Sequence, residues 1–180
     1  MAEGDDIIAE LIEDQWRLEE VLRELAALPR GDGQRKVHAN QLTVELVRHL
    51  AIEQELLRPL VRATLSDGEL LGEQAAREAA RVEQLLRKLE GVEAGAGRFD
   101  RLTGQLVERV REHLRREHEV FFRLRESVPE HTLADLGTKA RRIKSVAPAR
   151  PYPPSDPGLG PGPGMVDRVR EAVSRWRDPS

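Results

Sequence analysis

Apolar residues recur at steps of three and four along four long stretches of this chain, a periodicity that suits amphipathic helices and little else. The first seam reads Ile8, Leu11, Gln15, Leu18, Leu22 and Leu25; the second Leu42, Leu46, His49, Glu53, Leu56 and Leu60. The third reads Ala75, Ala79, Val82, Leu86 and Leu89; the fourth Leu102, Leu106, His113, Glu117, Val120 and Leu124, with Val110 close to the line. Stop signals separate them: Pro29 with Gly31-Asp32-Gly33, then Ser66-Asp67-Gly68, then the glycine-rich run Gly91 to Gly97, then Pro129. Asp5 and Asp6 are placed to cap the first helix, and Pro59 inside the second span predicts a kink or break one turn earlier. A shorter fifth helix follows over about Leu133 to Val146. Long helices joined by short loops predict an all-α, up-down-up-down four-helix bundle.

Composition agrees. The chain has 180 residues, of which 34% are charged and 39% hydrophobic, as expected of helices with charged outer faces. Aromatics make up 3%, too few for a sandwich or barrel. The absence of cysteine excludes disulfides, thiolate metal sites and thiol catalysis. The 32 acidic residues against 29 basic ones argue against a nucleic-acid partner. No apolar run reaches the length of a membrane span, and the start MAEGDD does not read as a signal peptide, so a cytoplasmic protein with no membrane partner is expected. Three segments are expected: a bundle over 1–146, a Pro/Gly-rich linker over 147–164, and a short amphipathic segment over 165–180. Met165, Val166, Val169, Ala172, Val173 and Trp176 recur at helical spacing in the last, which either docks on the bundle or frays.

Two seams carry ionisable groups at their centres. His49 and Glu53, and again His113 and Glu117, stand four residues apart, so each pair stacks on one helix face. Their surroundings repeat, since His49-x-x-x-Glu53-x-Glu55-Leu56-Leu57 matches His113-x-x-x-Glu117-x-Glu119-Val120-Phe121. A buried Leu contributes roughly 1.5–3 kcal/mol, whereas an unpaired buried ion costs several kcal/mol. Four such groups in one layer must neutralise one another, shift their protonation or hold a cation. Three readings are open: a histidine–glutamate hydrogen-bond network, a metal site, and a metal-free acid/base centre. Imidazole and carboxylate donors from facing helices favour the metal site.

At these residues the chain resembles a hemerythrin-like protein of the His-His-Glu cation-binding type, over about residues 5–146. The matching stretches are Leu11-Ile12-Glu13-Asp14-Gln15-x-x-x-Glu19, Val47-Arg48-His49-x-x-x-Glu53-Gln54, Arg77-Glu78-Ala79-x-x-Val82-Glu83 and Arg111-Glu112-His113-x-x-x-Glu117. The resemblance implies a four-helix bundle around a non-haem di-iron centre, with dioxygen or another small diatomic ligand as partner and a role in oxygen, iron, nitric oxide or redox sensing. The family expects histidine where this chain has Gln15 and Ala79. The carried-over metal ligands are therefore His49, Glu53, His113 and Glu117.

This reduced set implies iron, mono- or dinuclear, with manganese, zinc or no metal as alternatives. The expected function is non-haem metal binding with oxygen or redox sensing. A metal-free structural or protein-interaction module and a metal-dependent oxidase or peroxidase are the alternatives. Glu19 and Glu83, one turn beyond Gln15 and Ala79, are possible replacement donors but read first as solvated residues. His118 points about 100° away from Glu117, and His38 and His131 read as surface residues.

Overall fold

A computed structural model describes residues 5–146 and 164–177, without the side chains of Trp176 and Arg177. The expected linker, apart from Gly164, lies outside the described residues. The described chain is helical: α1 (Ile7–Ala27), α2 (Gln34–Ile52), a π-helical turn (Glu53–Leu57), α3 (Arg58–Thr64), α4 (Gly68–Glu90), α5 (Gly97–Ser127), α6 (Glu130–Val146) and α7 (Met165–Arg177).

The sequence signals act where expected. Asp6 Oδ1 accepts the Ala9 amide at 2.8 Å and caps α1. The second span, in which Pro59 predicts a kink or break, is three pieces, α2, the π turn and α3. Pro59 has no amide to donate and its ring crowds the carbonyl four residues back. The ladder accommodates this one turn earlier by slipping to a wider register, in which the Arg58 amide bonds the Glu53 carbonyl.

The core has two apolar halves. One gathers Leu18, Leu22, Leu46, Leu50, Leu86, Leu106, Val110 and their neighbours. The other gathers Ile8, Leu11, Ile52, Leu56, Phe121, Leu124, Ile143 and theirs. On α1, on α2 with its π turn, and on α5, the polar seam residues Gln15, His49, Glu53, His113 and Glu117 fall between members of the two halves.

α6 and α7 add to this frame. α6 lies against α1, closely enough that a Cβ on Gly137 would stand 2.3 Å from the Asp5 carbonyl oxygen. α7 packs against α2, α4 and α6. Val166 and Val169 join the first half of the core and Val173 the second. Polar ties hold its start, with the Val166 amide on Glu90 Oε1 at 2.9 Å and Arg87 on Asp167 at 2.9 Å. Of the two outcomes open to this segment, residues 165–173 dock.

Candidate metal centre

α2 and α5 each carry their histidine toward the same buried layer, and Glu53 opens the π turn. His49 is fully buried, and Glu53, His113 and Glu117 nearly so. Both Nε2 atoms turn inward. His49 Nε2 lies 2.9 Å from Glu53 Oε1 and 3.2 Å from Glu117 Oε2, and His113 Nε2 lies 2.8 Å from Glu53 Oε1. The imidazole rings stand perpendicular with centroids 5.9 Å apart. One donor atom from each of the four residues lies within 4.8 Å of every other.

Charge explains why the layer is stable. Burial opposes charging of His49, but Glu117, Asp14 and Glu53 outweigh it and hold its pKa well above the usual histidine value. Burial likewise opposes charging of His113, and Glu53 with Glu117 overcomes this and raises it. For Glu53, burial pushes upward and is beaten by His113 and His49, which leave it below the ordinary carboxylate range. Without a cation, the layer is thus two imidazoliums against carboxylates.

Behind His49 lies a second charged group. Asp14 Oδ2 stands 3.9 Å from His49 Nδ1, and Lys144 Nζ of α6 stands 2.8 Å from Asp14 Oδ1. Lys144 also bonds the carbonyl and the carboxylate of Glu10, each at 2.9 Å. Asp14 is held below its usual range because His49 and Lys144 together exceed the upward push of burial. Gln15 Nε2 donates to Glu117 Oε2 at 2.7 Å.

The donor set fits a metal ion. Ligand atoms on opposite sides of a first-row ion are separated by about 4.2 Å, twice a bond of ~2.1 Å, so a 4.8 Å cluster needs little contraction. Two imidazoles and two carboxylates suit iron, manganese or zinc. Of the four candidate ligands, Glu117 Oε1 and His49 Nδ1 are buried atoms without a hydrogen-bond partner. The first is a free carboxylate oxygen at the cluster, and the second stands 3.9 Å from Asp14 Oδ2, beyond hydrogen-bond reach but on the side from which an outer carboxylate would orient a metal-ligating imidazole.

The remaining sequence candidates divide. Ala79 is buried and offers no donor. Glu19 is exposed, 3.6 Å from Arg111. Glu83 departs from its reading as a solvated residue, for it is buried and held by Arg170 of α7, outside the four-residue cluster. His118 and His131 are exposed, and His38 sits half-buried 3.3 Å from Glu24. Sequence reasoning missed the outer role of Asp14 and the part played by Lys144. An acidic residue directly before a seam position was the available signal for the first; nothing local marked the second.

A bundle with this buried layer is the frame of a cation-binding helical protein, and the family model for the hemerythrin HHE cation-binding domain matches residues 6–124. The chain belongs to that family. It is also similar to the crystal structure of a hemerythrin HHE cation binding domain-containing protein from Mycobacterium kansasii, with 15% sequence identity and a TM-score of 0.65 over 96% of this chain and 93% of that one. That likeness supports the helical fold. No curated protein matches this chain.

Proposed function

We propose that His49, Glu53, His113 and Glu117 bind one divalent transition-metal ion, iron first, and that the protein serves oxygen or redox sensing. The observation that carries the reading is the convergence of two imidazole nitrogens and two carboxylate oxygens within 4.8 Å in a buried layer. A single ion accounts for all four donors, and neither Gln15, engaged with Glu117, nor Ala79 supplies donors for a second. Bound there, the ion would supply Lewis-acid or one-electron chemistry with positions open to a small ligand such as dioxygen. The chain's own part is to hold Nε2 of both histidines inward and to bury the four donors. The up-down-up-down order, a bundle over 1–146, a linker over 147–164, a terminal segment over 165–180 and a cytoplasmic location belong to this proposal.

Metal analysis of freshly purified protein, with thermal melts before and after chelation, tests it. Bound metal near one equivalent and a lower Tm after chelation are expected. Protein that carries no metal and gains no stability from added Fe(II), Mn(II) or Zn(II) overturns it.

One observation favours a second reading. The pairs His49–Glu117 and His113–Glu53 cross between helices and neutralise each other without help. On that reading the chain is a metal-free bundle serving as a structural or interaction module, and the negative outcome just described would establish it.

A further inference from the structure

A cleft of about 360 Å³ runs in from the surface between α3, α4 and α5 and reaches Glu53, His113 and Glu117. Its inner walls are partly apolar, with Leu57, Val61, Leu71 and Val120. Several charged residues of its walls have ion-pair partners, inside the cleft or just beyond it. Asp67 holds Arg123, Glu112 holds Arg116 at 2.8 Å, and Arg81 holds Glu78 at 2.6 Å.

Arg58 differs. It lines the cleft half-buried, and among the described residues its side chain makes no hydrogen bond or ion pair. Burial, Arg170 and Arg62 depress its pKa against the pull of Glu53 and Glu55, so its surroundings leave the guanidinium poorly compensated. The π turn puts it there. Because the Arg58 amide bonds the Glu53 carbonyl five residues back, residue 58 lies above residue 53, whereas an α-helical ladder would pair residue 57 with it. A half-desolvated guanidinium beside an apolar wall is a ready partner for a carboxylate, which it can grip through two parallel N–H donors.

We propose that this cleft binds a small organic monocarboxylate, its charged end on Arg58 and its apolar body along Leu57, Val61, Leu71 and Val120. The proposal stands apart from the metal reading: in the metal-free layer His49 and His113 offset Glu53 and Glu117, and in a loaded one a divalent ion would do so, so the inner end of the cleft does not repel an anion in either state. A volume of this size is near the lower bound for organic ligand sites and well above the need of a diatomic molecule.

The test uses cobalt(II)-loaded full-length protein. Metal content is measured first, and then butyrate, butan-1-ol and butylammonium are titrated calorimetrically into the wild type, Arg58→Gln and Arg58→Lys. Butyrate should bind the loaded wild type, at least about tenfold more weakly to R58Q, as expected for loss of a charge-assisted pair. R58K, which keeps the charge without the fork, should fall between. The alcohol and the ammonium should bind at least about tenfold more weakly than butyrate. Equal butyrate affinity in loaded wild type and R58Q, an alcohol bound as well as butyrate, or no butyrate binding overturns the proposal while leaving the metal reading intact. Failure to load cobalt overturns the metal reading alone, and the same titrations into the unloaded protein then decide the carboxylate proposal. If R58Q does not fold by circular dichroism, R58K decides alone, and unchanged affinity there overturns the proposal.

Discussion

Gln15 Nε2 donates a 2.7 Å hydrogen bond to Glu117 Oε2, so a residue at a position where the family expects a histidine ligand instead fixes the carboxylate of a neighbouring helix. The bond spans α1 to α5 inside the buried layer. Gln15→Leu is close in size but cannot donate, and leaves that oxygen one partner short. Metal-free Q15L should lose about 1–3 kcal/mol, read from the urea midpoint at unchanged slope.

His49→Ala removes the residue that meets both carboxylates and leaves Glu53 and Glu117 with less compensation. Metal binding should fall below detection in an equilibrium dialysis assay. The metal-free variant should be destabilised by about 3–5 kcal/mol, the usual effect of breaking a buried ion pair. A variant as stable as the parent would mean that the layer is wetter than the burial of these groups implies.

The pH profile of metal-free protein follows from the shifts. His49 and His113 have folded-state pKa values above their unfolded values. Their contribution is therefore fully present below about pH 6.5 and disappears as pH rises through the elevated folded-state values. Glu53 and Asp14 are depressed on folding, so theirs is present above about pH 4 and lost as pH falls through the lowered values. Stability should peak in the mildly acidic range and decline on the alkaline side. Metal-loaded protein, whose histidines are neutral ligands, should lack the alkaline decline and should release protons on loading. Thermal melts from pH 4 to 10 with and without metal distinguish the two profiles.

Lys144→Met tests the contact that links α6 to the centre. It deprives Asp14 and Glu10 of a shared cation in a nearly dry setting. A stability loss of about 3 kcal/mol and a metal affinity reduced about 10–100-fold are expected. The second effect, measured by chelator competition, is what a purely structural lysine would not produce.

Val169→Ala opens a void beneath α7, where the side chain is fully buried. A cost of about 1–3 kcal/mol is expected, with a single unfolding transition. Two transitions would show that α7 melts by itself.

Much of this architecture was legible because helical spacing is a local property. The seam residues of α1 are all buried, as their periodicity implied. Most of the others are too, while Leu60, Ala75 and Val120, at seam edges, are only half-buried. The centre was legible for the same reason, since His-x-x-x-Glu in an apolar stripe appears within a few residues. Asp14 with Lys144 was not, because its partners are 130 positions apart and meet only when α6 folds back along α1. The π turn was half legible. Pro59 announced a disturbance, but the register change that carries Arg58 over Glu53 is one of several ways a helix can absorb a proline. The burial of Glu83 depended on Arg170, which arrives with α7.

The crossed pairing of His49 with Glu117 and His113 with Glu53 has an implication for turnover of the proposed ion. A cage whose walls grip one another when vacated does not collapse or unfold on demetallation. Loading is then a swap of protons for an ion on a standing scaffold, faster in mildly alkaline buffer, and cycles of filling and emptying should leave the polypeptide's secondary structure untouched.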